Sequence, residues 1–597
     1  MIETQPRTFR RAHEAFLLAV ILFSYAFFQH PVLFDNALTR LDLTYAVVFH
    51  GTVRIDDYHT NTVDKAFRNG HFYCDKAPGL SLAAVSVLAG MRTMFRTLDF
   101  KPDNALIAAM LTLLIVSIPS ALAFLLLFRI FEQMGVKRPA AMTVTFFTAL
   151  GTLCFTYSTQ FYGHQFAAAF LIAALYLIVT PVAEGNRPSN KSLFVAGLLL
   201  GGAVMSDYPA AVPAAAVAAF ALYAAGPRAA FVWLPLGAAL PLAALAGYNH
   251  LSFGNAFSIG YFHEMDPTFN KGMGRGLGGV TVPRPLVMLK LLFTPQRGLL
   301  WSSPFLLFAA PGAIAFLKIK DWRRALGITA LAAFLGAWLV NAAYYEPYGG
   351  FAPGPRFLVM GIPFLAILVA AAWQNAKPGI RCVIAAAGIL SMSQHYFLNA
   401  IEPHVPMDFA SPVFQYSLPL MRQDYFASSL GLLFGLNGWI AWIPLAMFLC
   451  FSCFVFINKY VESSSRKLLL AVLLFSIIFS AGFYGIGENV RKPSHEASAM
   501  QFSNTWLRRG LAELRTGQYS LAESHLKKSL SSDPANLQAS ITLAAFYVTV
   551  LQEPETARPI LERALSIGAK KHDPRVRYVL QLLRILPREN KQQNMRK

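Results

Sequence analysis

Long apolar runs dominate the chain and alternate with polar connections. A helix needs about 20 mainly apolar residues to cross the hydrocarbon core of a bilayer. The pattern predicts an all-α, polytopic membrane bundle of about 13 spans, with interfacial helices in the first outer loop. The predicted spans are 15–29, 105–128, 139–158, 166–183, 192–206, 209–225, 229–247, 299–317, 324–343, 356–373, 382–400, 438–457 and 467–486.

Basic residues in the connections predict how these spans are oriented, because cytoplasmic loops are enriched in Lys and Arg. Arg7, Arg10 and Arg11 place the N-terminus in the cytoplasm. Whether the short apolar run at 80–95 crosses the membrane then determines the membrane side on which every later loop lies. If this run lies at the interface or re-enters without crossing, all later basic loops are cytoplasmic, and this is the reading we adopt. These loops are Arg129–Arg138, Arg187–Lys191, Lys318–Arg324, Lys377–Arg381 and Lys459–Lys467. The C-terminus is predicted to lie outside.

Composition supports a membrane protein and changes the meaning of the charge. The 597 residues are 55% hydrophobic and 14% charged, whereas a soluble chain carries about 25% charged residues. A soluble enzyme over the whole length and a disordered chain are therefore excluded. The formal charge of +20 is assigned to the residues that flank spans, so no nucleic-acid partner is predicted.

The first outer loop, 30–79, is the densest polar segment of the chain. It mixes acids and bases with tyrosines, as sugar and phosphate sites do, and it is too long for a simple connector. The plainer alternative is a solvated polar loop without function. The charged residues are Asp35, Asp42, Asp56, Asp57, Asp64, Asp75, Arg40, Arg54, Lys65, Arg68 and Lys76.

At these residues the sequence resembles the GT-C glycosyltransferases. The resemblance is to the bacterial branch related to protein O-mannosyltransferases and the lipid A aminoarabinose transferase. Asp75-Lys76-Ala77-Pro78-Gly79 is similar to the family's acidic-Lys-Pro-Pro element, and Arg40 followed by Gly51 has the spacing of its opening element. Further matches occur in order on the predicted outer side: Tyr162-Gly163-His164, Tyr248-Asn249, Phe253-Gly254, Gly349-Gly350, Gly354-Pro355-Arg356 and Glu402-Pro403-His404-Val405-Pro406.

One position departs from the family pattern. The family's catalytic Asp usually lies three residues before the Arg of the opening element, and Ala37 stands there in this chain. Asp35 and Asp42 are the nearest replacements. The identity of the base is therefore open.

The resemblance implies transfer of a sugar from a polyprenyl-phosphate donor to an acceptor hydroxyl, at the outer side of a bacterial inner membrane. The acceptor is a lipid, a glycan or a protein. A carboxylate must take the acceptor's proton, and cations must stabilise the leaving phosphate. Asp42 is the first choice as base, followed by Asp56 and Asp57. The predicted substrate- and phosphate-binding residues are Arg40, Asp75, Lys76, His164 and Arg356.

Some of these residues also have a purely structural explanation. His164 at a span end is also typical of an interfacial residue, and Arg356 after Gly-Pro of an anchored turn. Asp207 before Tyr208-Pro209 is predicted to cap the next span. Clustered Asp residues can hold a divalent cation beside a phosphate, but no spacing here is diagnostic, so metal dependence is open.

Two other functions compete with the transferase. A flippase or transporter of lipid-linked glycans would be expected to carry ionisable or polar residues in its spans, and 139–163, 166–183 and 209–225 contain no charged residue. A non-catalytic scaffold would leave the acidic outer loop unexplained.

A change in composition after Gly487 predicts two domains, 1–486 and 487–597. The second resembles a tetratricopeptide-like helical array, whose period is about 34 residues. Asp533-Pro534 and Asp573-Pro574 are predicted helix starts, and a further helix is predicted near 575–587. The array is interpreted either as a surface for a protein partner or as an appendage that stabilises the enzyme. The matching residues are Trp506, Gly510, Gly517, Tyr519, Ala522, Leu526, Leu530 and Pro534, and then Ala557, Leu561 and Leu565.

Overall fold

The structure is a computed structural model that describes residues 7–28, 30, 34–99, 104–436, 438–460, 493–515, 517–570 and 572–586. The chain divides into two compact units, Met1–Arg491 and Lys492–Lys597. The division lies five residues beyond the predicted boundary at 486. The predicted span 467–486 lies outside the described residues.

The first unit is built almost entirely from helices, which confirms the predicted all-α class. Its α-helices are Arg7–Phe27, Asp35–Tyr45, Gly79–Thr97, Asn104–Leu111, Ile118–Gln133, Arg138–Leu150, Leu153–Ser158, Gly163–Ala183, Asn190–Ser206, Ala211–Ala225, Pro227–Phe253, Pro267–Met273, Pro285–Phe293, Leu299–Ser302, Ala309–Leu317, Trp322–Ala343, Ile362–Asn375, Pro378–Ile401, Leu418–Arg422 and Ile443–Tyr460.

Shorter elements complete the unit. A small antiparallel hairpin in the first outer loop pairs Ala66–Arg68 with His71–Tyr73, and Phe67 lies opposite Phe72. The 3₁₀ segments are His59–Asn61, Tyr208–Ala210, Gly260–His263, Pro304–Phe308, Arg356–Gly361, Leu430–Phe434 and Gly438–Trp442. The π-helical segments are Ala46–His50, Thr112–Ser117 and Pro412–Ser417.

Seven helical segments in the described residues are long and apolar enough to cross a membrane. They are Asn104–Gln133, Gly163–Ala183, Tyr208–Ala225, Pro227–Phe253, Trp322–Ala343, Arg356–Asn375 and Gly438–Lys459. Each contains a predicted span or most of one. The count of thirteen and the orientation of the termini stay predictions. Gly79–Thr97 is one continuous helix outside this set, and its interfacial placement likewise stays a prediction.

Two predicted spans are not continuous helices. The run 139–158 breaks at Gly151, and a new helix begins at Leu153 because the Thr152 hydroxyl accepts a hydrogen bond from the Cys154 amide. The run 299–317 breaks at Ser303, whose backbone is not helical, and it continues through a 3₁₀ segment. Apolarity alone does not show such breaks, since they depend on single residues.

Close helix packing in the first unit depends on small residues. Helix Asn190–Ser206 packs against helix Pro227–Phe253, and a Cβ added at Gly197 or Gly237 would overlap the backbone of the facing helix at Leu234 or Phe194. Helices in membranes commonly approach through such small residues. The absence of a side chain at these two glycines therefore permits the contact.

The second unit contains α-helices His495–Arg515, Tyr519–Ser532, Leu537–Thr549, Pro554–Lys570 and Val576–Ile585. Trp506, Ala522, Leu526, Ala557 and Leu561 are buried, and the final predicted helix is present. The predicted helix starts at Asp533 and Asp573 are wrong by about three residues. Each Asp accepts from the amide two residues ahead and forms a turn before the helix instead. The tetratricopeptide assignment stays a prediction.

Candidate functional site

Lys76 is the centre of a buried charged group in the outer-loop region of the first unit. Its Nζ lies 3.0 Å from Oδ2 of Asp64, forms an ion pair with Asp75, and lies 3.9 Å from Oε1 of Glu264. The ring of Tyr261 lies 5.4 Å from the same nitrogen. One lysine thus faces three carboxyl groups from two separate loops.

The carboxyl groups keep Lys76 charged. Burial alone would lower the pKa of Lys76, but Asp64, Asp75 and Glu264 outweigh burial and raise this pKa above its ordinary value. Burial and the nearby Asp75 raise the pKa of Glu264 to about 11, so Glu264 holds its proton at neutral pH. Burial also raises the pKa of Asp64. The group therefore carries a fixed cation beside one acid that is neutral.

A close backbone approach brings the second loop to this lysine. A Cβ at Gly260 would lie 2.5 Å from the carbonyl oxygen of Asp75, so the 3₁₀ segment Gly260–His263 packs directly on the Asp75 backbone. The amide of Met265 donates to the carbonyl of Lys65 at 3.1 Å. These contacts place Tyr261 and Glu264 against Lys76.

Arg40 lies buried between the helix Asp35–Tyr45 and the turn after Lys76. Its Nη1 donates to the carbonyl oxygen of Ala77 at 2.8 Å, and its Nε donates to Oδ1 of Asn36 at 3.1 Å. A Cβ at Gly163 would lie 3.2 Å from Nη2 of Arg40. Arg40 thus joins the first outer loop to the start of the helix that carries His164.

His164 pairs with Asp207, and this pairing corrects the predicted role of Asp207. Nδ1 of His164 is hydrogen-bonded to Oδ2 of Asp207, and Asp207 makes no side-chain cap to the segment that follows it. The helix starting at Gly163 brings the imidazole within reach, so the carboxylate bonds to the ring. Nε2 of His164 is buried without a hydrogen-bond partner.

Arg356 lies half-buried on aromatic rings beside this pair. Its guanidinium carbon lies 5.8 Å from the ring centre of Tyr162 and 5.3 Å from that of Phe357. The backbone of Gly349, at a φ of +74°, packs against the guanidinium where a side chain would overlap it. Within the described residues, no carboxylate lies within ion-pair distance of Arg356, and its Nε has no partner. The arginine is therefore available to an anion.

Electrostatic interactions connect these residues into one site. Arg356 interacts with Asp64. The ring of Tyr162 interacts with Arg356 and Lys76, and the ring of Tyr261 interacts with Lys76 and Asp207. Of the predicted binding residues, Arg40, Asp75, Lys76, His164 and Arg356 all belong to this site.

Asp42, the predicted base, lies on a different face of its helix from Arg40. Successive residues of an α-helix are 100° apart, so Asp42 is about 200° from Arg40. Its Oδ1 accepts from Nδ2 of Asn61 at 2.9 Å, and its Oδ2 is buried without a partner. Burial raises the pKa of Asp42 to about 7, against the acidifying effects of Asn61 and Lys65.

This pKa predicts how stability changes with pH. An unfolded Asp has a pKa of about 3.9, so between about pH 4 and 7 the folded protein binds a proton that the unfolded chain has released. Stability therefore falls as pH rises through this window, by at most about 4 kcal/mol. Asp42→Asn should remove that slope and should melt at a higher temperature than wild type above pH 7.

The measurement is the melting temperature of the purified protein from pH 5 to 8.5. Asp57→Asn is the control, because the Asp57 side chain is 72% exposed. An Asp42→Asn variant whose melting temperature differs from wild type equally at both ends of the range would contradict the shifted pKa.

The other two predicted bases lie toward solvent. Asp56 accepts from the Phe72 amide at 2.7 Å and pairs with Nδ1 of His71 at 2.7 Å. Asp57 lies 3.7 Å from Nε2 of His50. In the described part of the chain, neither carboxylate contacts Lys76, Arg40 or Arg356. Their assignment as bases stays a prediction.

The acidic residues around Lys76 fit an ammonium group, not a divalent ion. Nζ of Lys76 occupies the space between the carboxyl groups where a metal ion would have to lie. Among the described residues, no group of three or more His, Cys, Asp or Glu side chains is arranged to hold a metal. We derive no step through a metal ion.

Sequence reasoning did not select three members of the site. Asp64 was counted with the loop's acids but given no role, while Tyr261 and Glu264 lie almost 190 residues after Lys76 in a loop without periodicity. The only sequence signal for them is the Phe253-Gly254 element that opens their loop.

No family model matches the chain, and no curated protein matches it. It is similar to the crystal structure of ArnT from Cupriavidus metallidurans bound to undecaprenyl phosphate, with 14% identity over 84% of this chain and 81% of that chain and a TM-score of 0.43. It is also similar to the archaeal oligosaccharyltransferase AglB from Archaeoglobus fulgidus in complex with an inhibitory peptide and a dolichol-phosphate. That similarity has 14% identity over 66% of this chain and 56% of that chain and a TM-score of 0.38. Both neighbours have the GT-C fold that the sequence resembles.

Proposed function

We propose that this protein is a membrane glycosyltransferase that moves a sugar from a polyprenyl-phosphate donor to an acceptor hydroxyl on the outer side of the membrane. One observation carries the proposal. Lys76 and Arg356 both interact electrostatically with Tyr162, and Arg356 also interacts with the His164 imidazole, so two cations and a buried ring nitrogen are available to a phosphate in one region.

The cations act on the leaving group. As the bond between the sugar and the phosphate breaks, negative charge develops on the phosphate oxygens, and fixed cations in a water-poor site stabilise this charge strongly. Arg356 can bind two oxygens at once, and Lys76 supplies a point charge. Nε2 of His164 is free to bond a further oxygen, since Nδ1 is held by Asp207.

The acceptor hydroxyl must also lose a proton. Asp42 is the carboxylate candidate for this step, because its pKa of about 7 is close to that of an effective base at neutral pH. The large outer loops supply surface for an acceptor, and the sugar and the acceptor are left as classes.

A transfer assay tests the proposal. Membranes that contain the protein are incubated with labelled polyprenyl-phosphate sugars, and transfer of label to lipid, glycan and protein fractions is measured. We expect transfer with at least one donor, and unchanged transfer by Lys191→Ala, at an exposed position outside the first outer loop. A purified protein that binds lipid phosphate yet transfers label from no donor in a broad panel would contradict the proposal.

A further inference from the structure

A narrow cavity lies beside Tyr162, whose ring also contacts Arg356. Its lining includes Phe34, Ala37, Gln160, Tyr162 and His404. The ring of Tyr162 lies 6.4 Å from the ring of His404, while Arg356 lies over the same tyrosine. Tyr162 thus contacts both this cavity and the proposed phosphate-binding residue Arg356.

Gln160 indicates what the cavity can take. The side chain is 5% exposed, and both its amide nitrogen and its amide oxygen are buried without a hydrogen-bond partner. A buried amide left unbonded is costly. A neutral hydroxyl satisfies it well, because a hydroxyl can both donate and accept. The cavity is too narrow for a sugar ring, so a single hydroxyl at its mouth is the matching ligand.

His404 faces the same cavity and is held by a carboxylate. Its Nδ1 lies 2.9 Å from Oε1 of Glu402, and Oε2 of Glu402 accepts from the hydroxyl of Tyr425 at 3.1 Å. Although burial alone would raise the pKa of Glu402, the hydrogen bonds and charge of His404, together with nearby His30, lower it to about 2. Glu402 is therefore ionised and accepts the Nδ1 proton, which leaves the lone pair on Nε2.

Packing fixes the imidazole plane. The ring of His404 stacks on Phe34, with the ring centres 3.8 Å apart and the planes 17° apart. Phe34 directly precedes the helix Asp35–Tyr45, in which Ala37 also lines the cavity. Asp42 is about 140° from Ala37 around that helix, so it points away from this cavity.

We infer that His404 is the general base of the proposed transfer, that Glu402 is its positioning residue, and that the cavity beside Gln160 receives the acceptor hydroxyl. The inference rests on the proposed function and assigns the proton to a different group from Asp42. The acceptor O–H gives its proton to Nε2 of His404, and the oxygen forms a bond to the anomeric carbon. The bond from that carbon to the phosphate oxygen breaks, and its electron pair leaves on the polyprenyl phosphate. The imidazolium then releases its proton to water.

The first test compares His404→Gln with His250→Gln, an exposed histidine outside the site. General-base catalysis contributes typically 10²- to 10⁴-fold, so we expect His404→Gln to lower the transfer rate by about 100-fold or more. Binding of undecaprenyl phosphate should stay within about threefold of wild type. Transfer at the wild-type rate would overturn the inference.

The pH profile of Glu402→Gln shows whether Glu402 positions His404 for proton transfer or only stabilises the fold. The groups that face His404 are His30, Tyr162 and Glu402, with Tyr425 behind Glu402. Loss of the carboxylate makes the imidazolium less stable, so the acidic limb of the rate profile should move to lower pH. A lowered rate with an unmoved limb would overturn the role of Glu402.

Gln160→Leu gives a test that does not depend on altering the histidine. It removes both unbonded amide atoms, so the protein should melt at a higher temperature while transfer falls at least tenfold. Wild-type transfer by Gln160→Leu would show that the cavity holds only water and would overturn the inference. If wild type itself transfers no sugar, the proposed function fails, whereas active wild type with active His404 and Gln160 variants rejects the further inference alone.

Discussion

Lys76→Met is expected to lower sugar transfer by roughly 10²- to 10³-fold, the range seen when one fixed group that stabilises transition-state charge is removed. The lysine is buried, and it is surrounded by Asp64, Asp75 and Glu264. Without its charge, the donor phosphate loses this cation, and the three carboxyl groups lose the ammonium group that they share.

The same variant should also be less stable, since breaking a buried ion pair costs roughly 3–5 kcal/mol. The double variant Lys76→Met/Asp75→Asn separates the two effects. The Asp75→Asn change removes one carboxyl group that has lost its ammonium partner. Much of the melting temperature should therefore be restored, while transfer stays low. If transfer returns together with stability, Lys76 is a structural residue and the phosphate assignment is wrong. Lys191→Met, at an exposed position outside the first outer loop, is the control for loss of a lysine.

Arg356→Ala is expected to have the second largest effect, about a 100-fold loss of transfer. Its guanidinium rests on Tyr162 and Phe357 and has no carboxylate within ion-pair distance among the described residues. Arg356→Lys should retain only a small part of the wild-type transfer rate, because an ammonium cannot bind two phosphate oxygens in the planar geometry of a guanidinium.

The readouts for this arginine are the transfer rate and the affinity for undecaprenyl phosphate. Arg54→Ala, at an exposed position of the first outer loop, controls for loss of general positive charge. Full activity of Arg356→Lys would show that only charge is needed. Full activity of Arg356→Ala would remove the residue from the site.

Sequence patterns predict the helical class well, because apolar runs of sufficient length have few alternatives to a membrane helix. The resemblance to the GT-C glycosyltransferases also selects Arg40, Lys76, His164 and Arg356, which come from segments as much as 316 residues apart in the chain. Lys76 and Arg356 each stand beside a local element, Pro78-Gly79 and Gly354-Pro355, that precedes a helical segment.

Sequence alone does not show which side chains meet across loops. Glu264 reaches Lys76 only because Gly260 lets two backbones touch, and Asp207 meets His164 because two helix ends converge. Asp42 appears close to Arg40 in sequence, yet the helix turns the two side chains apart. The breaks at Gly151 and Ser303 likewise follow from local backbone geometry inside apolar runs.

The binding of a polyprenyl phosphate tests the central claim most directly, because it needs neither the sugar nor the acceptor to be known. Purified protein in lipid nanodiscs is titrated with undecaprenyl phosphate and with undecaprenol, which lacks the phosphate. The account predicts saturable binding of the phosphate form only, weakened at least tenfold by Lys76→Met/Asp75→Asn and by Arg356→Ala. Equal binding of both lipids, or binding unchanged in both variants, would contradict a phosphate site at Lys76 and Arg356.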